Sequence, residues 1–149
     1  PDILRELIEE AISGADRPVP AEERDHVRRM LRTSDPHEKL QIYADGVTAT
    51  NERVAPLLIA LRDAADEHEE ARKVWSEISD RRAGNMRRLI ADLADSGGLR
   101  AGIDPDDAAD TVWATNSAEL YSMLRDQRGW SSDRYRRWLV DLWSRVLLE

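Results

Sequence analysis

The histidines are the first residues in this sequence that could do chemistry, because a neutral imidazole is a common metal ligand and proton carrier. His68 is followed by two glutamates, which matches the start of a helical zinc motif whose second histidine comes four residues after the first. Arg72 occupies that position, so the motif is incomplete. His26 and His37 also have no partner at a ligand spacing. The histidines therefore predict neither a metal site nor a catalytic site.

A second candidate is the acidic cluster Asp104, Asp106, Asp107 and Asp110, whose carboxylates could bind calcium. The cluster lacks the glycine and the ligand spacing of a calcium loop. Asp104 also precedes a proline, in the order typical of a helix N-terminus, so we interpret these acids as helix-capping residues. The sequence contains no glycine-rich phosphate loop and no nucleophile elbow. We therefore expect no enzymatic activity, no bound metal and no cofactor.

Polar residues inside apolar stripes are more informative. Thr50 and Asn51 interrupt the inward stripe of one predicted helix. Arg82 and Asn85 interrupt that of a second helix, and Asn116 that of a third. An apolar pocket with a few convergent polar groups would have this pattern, and so would polar side chains that satisfy one another or bind buried water. We predict one ligand-binding cavity, lined by Tyr43, Val47, Thr50, Asn51, Trp75, Ile78, Arg82, Asn85, Met86, Trp113, Asn116 and Leu120.

The elements that must position these residues are helices, because apolar residues recur at three- and four-residue spacing along the chain. This spacing predicts a helix over residues 2–13, stopped by Gly14. Pro18 and Pro20 break the pattern, and a further short helix is expected over residues 21–31.

Helix-capping signals mark the longer helices. Asp35 followed by Pro36 predicts a helix start, and this helix should run to about Val54, after which Pro56 kinks it or begins a new segment. The later signals are Ser-Gly-Gly at residues 96–98, which ends a helix, Asp104-Pro105, which begins one, and Ser131 or Ser132, which caps the last. The remaining helices are predicted over residues 71–93, 105–124 and 132–147. The predicted fold class is an all-α bundle of about six to seven helices.

Composition limits the class of protein. The length of 149 residues with 41% hydrophobic content suits one domain spanning residues 1–149. The absence of cysteine excludes disulfides and thiolate metal ligands. No apolar stretch is long enough for a membrane span and residues 1–20 lack the basic-then-apolar order of a signal peptide, so we expect a cytoplasmic protein. The net charge of -8 has the wrong sign for a stand-alone DNA-binding domain.

Aromatic residues crowd into the carboxy-terminal third. Four of the eight aromatic residues, namely Trp130, Tyr135, Trp138 and Trp143, lie within residues 130–143. One face of a single helix in a small monomer cannot bury both Trp138 and Trp143, and tryptophan and tyrosine are enriched at interfaces. A well-filled monomer core is the alternative. We predict a homodimer whose interface contains Tyr121, Trp130, Tyr135, Trp138, Leu139, Leu142 and Val146.

The sequence also resembles a known family. The segment GLRAGIDP at residues 98–105 and the residues that follow it resemble the carboxy-terminal region of TetR-type transcriptional regulators. The resemblance covers nearly the whole chain. It is carried further by ILRELIEE at 3–10, PVP at 18–20, RVAPLL at 53–58, AAD at 108–110, WA at 113–114, Ser117, ELY at 119–121 and RGWS at 128–131.

The resemblance implies a two-fold dimer whose last two helices, within residues 105–149, form a four-helix interface, with a ligand cavity among the central helices. Residues 1–14 correspond to a connecting helix. Such regulators begin with a three-helix DNA-binding module containing a helix-turn-helix, which this sequence lacks, so operator DNA is expected to be bound only through that module.

We therefore expect the effector-sensing and dimerisation domain of a bacterial repressor. Its expected partners are a second copy of the chain and a small, largely apolar effector that modulates DNA binding. The alternative is a purely structural helical dimerisation module without a ligand.

Overall fold

A computed structural model describes residues 25–148, and these residues form an all-α helical bundle, as predicted. The helix expected over 2–13, the connecting segment 1–14 and the first residues of the 21–31 helix lie outside the described residues. The helices are α1 (Asp25–Arg32), α2 (Pro36–Ala65), α3 (Glu69–Asp95), α4 (Pro105–Thr115), α5 (Ala118–Ser122), which continues into a π-helical turn (Met123–Gln127), and α6 (Ser132–Leu147).

The predicted helix starts are confirmed by their capping bonds. The carboxylate of Asp35 accepts a hydrogen bond of 3.0 Å from the backbone N–H of His37 at the start of α2. Asp104 caps α4 in the same way, by accepting from the N–H of Asp106 at 2.8 Å. The hydroxyl of Ser131 caps α6. Each of these bonds satisfies an N–H that has no partner within its own helix.

The end of α3 also lies where the sequence predicts it. Gly97 has a φ of +74°, the left-handed conformation that glycine adopts readily after a helix. The next residue, Gly98, lies directly against Pro36, because a Cβ built at Gly98 would stand 2.2 Å from the proline Cγ. The start of α2 and the end of α3 can therefore approach each other closely only with glycine at this position.

The predicted helix end near Val54, with a new segment from Pro56, is wrong, because α2 continues through Pro56 to Ala65. A proline inside a helix removes one backbone hydrogen bond, here to the carbonyl four residues earlier. Pro56 is exposed, so that carbonyl can bind water. Val54 and Leu58, on either side of it, are buried in the core. Tertiary packing therefore maintains the helix across a residue that normally interrupts one.

The single helix predicted over 105–124 is also wrong, because the chain divides it into α4 and α5. The hydroxyl of Ser117 accepts a hydrogen bond of 3.1 Å from the N–H of Leu120 and so begins a new helix. Asn116, just before it, directs its side chain into the bundle, where it bonds to other helices. Serine favours helix N-termini over helix interiors because its hydroxyl can accept a bond from a backbone N–H of the first turn, as Ser117 does here.

Helix α6 packs against α2 and α4 and contributes the largest fully buried side chains of the core. Four α6 residues at four-residue spacing, Tyr135, Leu139, Trp143 and Leu147, are each 0% exposed. The indole N–H of Trp143 donates to the hydroxyl of Thr115 at 2.8 Å, so even its polar atom has a partner inside the chain. Trp138, on the neighbouring face, is half-buried.

A lysine joins the first three helices inside the protein. Lys39 in α2 is 1% exposed. Its ammonium group donates to the carboxylate of Asp92 in α3 at 2.6 Å and to the backbone carbonyl of Met30 in α1 at 2.9 Å. Buried lysines are rare unless they are paired. The ion pair therefore joins α2 to α3, and the bond to the carbonyl of Met30 holds α1 against both helices.

Candidate functional site

A cavity of about 230 Å³ lies between α1, α2, α3 and the start of α5. Its walls are mainly apolar, with polar groups contributed by α2, α3 and the α4–α5 junction. Among the described residues it is lined by Val27, Met30, Leu31, Tyr43, Val47, Thr50, Asn51, Val54, Leu58, Trp75, Ile78, Ser79, Arg82, Asn85, Met86, Arg88, Leu89, Asp92, Asn116, Ala118 and Glu119.

Ten of the twelve residues predicted to line a cavity lie around this one. Trp113 and Leu120 are the exceptions. Trp113 lies behind Arg82, and its indole N–H donates to the carbonyl of Ser79 at 3.3 Å. Leu120 is half-buried and follows the interruption at Asn116. The break after Thr115 changes the helical phase at Leu120, whereas Trp113 precedes the break and is covered by Arg82.

Several lining residues did not form part of the predicted site. Val54, Leu58 and Leu89 continue the apolar stripes of α2 and α3, so their spacing could have indicated them. Val27 and Met30 come from α1, whose inward face was identifiable but whose position beside the cavity was not. The packing of a short helix on a bundle is a tertiary property that periodicity does not encode.

Asn116 is the centre of a buried hydrogen-bond network at one end of the cavity. Its side-chain oxygen accepts a bond of 2.5 Å from the guanidinium of Arg82, and its amide donates to the hydroxyl of Tyr43 at 3.1 Å. Its backbone carbonyl accepts a bond of 3.1 Å from the side chain of Asn51. The same amide lies 3.2 Å from the sulfur of Met86. These polar groups from α2 and α3 are thus satisfied partly by one another.

The network also satisfies the end of α4. The last carbonyls of a helix have no partner within it. Here the carbonyl of Trp113 accepts from Arg82 at 2.5 Å, and that of Thr115 accepts from the hydroxyl of Tyr135 at 2.8 Å. Burial raises the pKa of Tyr135, so its phenol stays protonated and can donate this bond at neutral pH. The buried polar side chains therefore have a structural role at the α4–α5 junction.

Arg82 is the most unusual group in the cavity wall. Its guanidinium lies 5.1 Å from the centre of the Trp113 ring, and its two hydrogen bonds are to neutral oxygens of Trp113 and Asn116. Burial lowers the pKa of Arg82 from its ordinary value, although the electrostatic influence of Tyr43 and Glu119 partly opposes this shift. Among residues 25–148, no carboxylate forms an ion pair with it. The side chain is a poorly solvated cation without a counterion from that part of the chain.

Glu119 is an acid in the same wall, and its charge acts on Arg82. One of its carboxylate oxygens lies 4.0 Å from the Nε of Arg62, while the other is buried and has no hydrogen-bond partner. A second, polar depression of about 260 Å³ lies between α2 and α6. There Arg136 lies 3.5 Å from Asp45, and the hydroxyl of Thr48 is buried without a partner.

The predicted dimer interface needs correction at three of its seven residues. Tyr135 and Leu139 are fully buried in the core of their own chain, and Tyr121 is almost so, with its ring 4.9 Å from that of Tyr135. Side chains without exposed surface have nothing to bury against a partner. The other four predicted residues, Trp130, Trp138, Leu142 and Val146, are half-buried.

Helix α6 carries three of these four at four-residue spacing, namely Trp138, Leu142 and Val146. They form one apolar stripe, here called the α6 stripe, beside the buried stripe of the same helix. The ring of Trp138 meets that of Trp130 edge-to-face at 5.7 Å, which extends the stripe beyond the helix. Helix α6 is thus apolar over a wider arc than residues 25–148 cover.

Neither a metal site nor a membrane span is found in the part of the chain that the structure describes. No group of three or more histidine, cysteine, aspartate or glutamate side chains between residues 25 and 148 could hold a metal ion. None of the helices in that range has the length and apolar character needed to cross a membrane.

The chain was compared with known proteins at the levels of sequence family and structure. No protein-family model matches it, and no similar curated protein or solved structure is found. The function must therefore be inferred from the geometry of the cavity and of the α6 surface.

Proposed function

We propose that this chain is the effector-sensing and dimerisation domain of a TetR-type transcriptional repressor that acts in the bacterial cytoplasm. A small, largely apolar molecule binds in the cavity and changes the position of a DNA-binding module that precedes the domain. The sequence resemblance motivates the family, and the cavity between α1, α2 and α3 is the observation that supports an effector site.

The size of the cavity indicates a small ligand. Its volume of about 230 Å³ exceeds the roughly 150 Å³ of an engineered cavity that binds benzene. It is below the roughly 300 Å³ at which sites for drug-sized ligands begin. The volume therefore favours a ligand of one ring or a short chain.

The contribution of α1 to the cavity provides a route from ligand to DNA. Val27, Met30 and Leu31 line the cavity from α1, so a ligand would contact this helix directly. Asp92, which also lines the cavity, is joined through Lys39 to the carbonyl of Met30. A ligand that binds better to one position of α1 shifts the population toward that position.

A structural dimerisation module is the second candidate. It is favoured by the network around Asn116, because the amides of Asn51 and Asn116 are satisfied inside the chain without a ligand. In this role the cavity is a packing defect and α6 carries the function.

A substitution that fills the cavity distinguishes these candidates. Thr50→Phe places a ring at a lining position, and Ala49→Phe places the same ring on the exposed face one residue earlier. With 1-octanol or indole as the probe, we expect the wild type and Ala49→Phe to melt roughly 5 °C or more higher at a concentration about a hundredfold above Kd.

Thr50→Phe should lose this stabilisation while keeping a cooperative transition. If neither these probes nor the charged probes described below raise the melting temperature of the wild type, effector binding is refuted and the structural module is favoured. An equal rise in Thr50→Phe would show that the probes bind elsewhere.

The α6 stripe predicts a homodimer. Leu142→Arg places a charge in the centre of the stripe, where an unpaired charge in a desolvated interface costs about 3–5 kcal/mol. We expect light scattering to report twice the mass of one chain for the wild type and a single chain for Leu142→Arg.

Asp141→Arg introduces the same side chain at an exposed neighbouring position and should remain dimeric. A wild-type monomer, or an unchanged mass for Leu142→Arg, would remove the α6 stripe as the dimer interface.

A further inference from the structure

We propose that the cavity is selective for a small amphipathic anion, a carboxylate with an apolar body, and that Arg82 binds the anionic group. This inference rests on the proposed effector-binding function and specifies the chemical class of the effector.

The hydrogen bonds of Arg82 leave part of its guanidinium available. Both of its bonds are made by one terminal nitrogen, Nη2, to the carbonyl of Trp113 and the side-chain oxygen of Asn116. The N–H groups on Nε and Nη1 have no acceptor among residues 25–148. A carboxylate can accept two parallel N–H bonds from a guanidinium, which makes it the preferred partner for such a fork.

Among the described residues, the charges around the cavity leave a positive excess. Two acids of residues 25–148 line it, and each is paired with a base outside the lining: Asp92 with Lys39 at 2.6 Å and Glu119 with Arg62 at 4.0 Å. Two arginines also line it, and Arg82 has no ion pair with a described residue. An anionic ligand would balance this excess, whereas a cationic ligand would add to it.

Glu119 is the strongest objection, because its unpartnered oxygen belongs to the same lining. A carboxylate there disfavours an anion nearby and would favour a cation. Arg82 nevertheless dominates, since burial penalises its charge, Glu119 offsets that penalty only in part, and no described acid forms an ion pair with it. Removal of the Glu119 charge should therefore increase the affinity for anions.

The rest of the cavity suits an apolar body. Val47, Val54, Leu58 and Ile78 present aliphatic surface, and Trp75 presents an aromatic face. The four aliphatic side chains offer no hydrogen bond to a second polar group. A molecule with one anionic end and a hydrocarbon remainder is complementary to this arrangement.

Three probes of equal carbon number test the sign of the charge preference. Octanoate, octanamide and octylamine share a chain length and differ in charge, and their Kd values for the intact 149-residue chain can be measured by calorimetry at pH 7. We expect octanoate to bind at least about tenfold more tightly than octanamide, as charge-assisted hydrogen bonds imply, and octylamine to bind most weakly.

Variants assign the preference to one residue. Arg82→Gln should lose the preference for octanoate while binding octanamide as the wild type does. Arg87→Gln removes a guanidinium from an exposed position of the same helix, outside the lining, and should keep the preference. Glu119→Gln should bind octanoate more tightly than the wild type.

The outcomes separate this inference from the proposed function. Equal binding of octanoate and octanamide, or tighter binding of octylamine, would overturn the anion proposal and leave the effector site intact. Binding of none of these probes, nor of 1-octanol or indole, would refute the effector site itself. If Arg82→Gln fails to fold, the wild-type ranking of the three probes and the Glu119→Gln shift still decide the matter.

Discussion

Trp143→Ala is expected to lower the free energy of unfolding by about 3–5 kcal/mol, the usual cost of deleting a buried aromatic side chain. The side chain is 0% exposed and packs at 5.6 Å from the ring of Tyr43. Its removal also leaves the hydroxyl of Thr115 without the indole donor. The melting temperature should fall by roughly 10 °C or more.

Trp138→Ala is the matched control, because the same atoms are removed five residues earlier from a half-buried position. Urea unfolding of both variants should give a much smaller loss for Trp138→Ala when each is measured as a monomer in the Leu142→Arg background. Equal losses of unfolding free energy would show that Trp143 is no more deeply packed in the core than Trp138.

Lys39→Met should cost about 3 kcal/mol, because it leaves a largely buried carboxylate without its cation. Asp92 retains 24% of its side-chain exposure, which places the cost at the lower end of the range for buried pairs. The variant also leaves the carbonyl of Met30 without its donor. Denaturant unfolding measures the loss.

A double variant tests whether the loss comes from the unpaired charge. Lys39→Met with Asp92→Leu should recover a large part of the stability, since apolar side chains replace buried ion pairs well when both partners change. Arg145→Met breaks the exposed pair between Arg145 and Asp141 and should leave stability unchanged within error. If the double variant is less stable than Lys39→Met, the pair contributes net stability beyond charge compensation.

The sequence allowed prediction of the fold class and of most helix ends, because those features are set locally. The caps at Asp35, Asp104 and Ser131 and the glycine stop at Gly97 involve residues within a few positions of one another. The continuation of α2 through Pro56 was not predictable in this way. It depends on packing by residues distant in sequence.

The cavity also has parts that local sequence predicts and parts that depend on the packing of distant residues. Helical phase brought together the residues predicted on the inward faces of α2 and α3, and these lie around one cavity: Tyr43, Val47, Thr50, Asn51, Trp75, Ile78, Arg82, Asn85 and Met86. The helical phase predicted for the residues after Asn116 was wrong, because the helix is interrupted there. The cost of this interruption is offset by hydrogen bonds that join Asn116 to α2 and α3. The burial of Lys39 had no local signal, since lysine at a helix start is normally exposed.

The interruption between α4 and α5 makes α4 dependent on its neighbours for cooperative stability. With 11 residues, α4 is shorter than helices that are stable alone in water. The carbonyls of Trp113, Thr115 and Asn116 are bonded by side chains of α3, α6 and α2 respectively, so these bonds exist only when all four helices are docked. The carboxy-terminal end of α4 thus cannot fray by itself. Its amide hydrogens exchange with solvent only through an opening that also separates the helices around it, which makes a short helix part of the most slowly exchanging unit of the bundle.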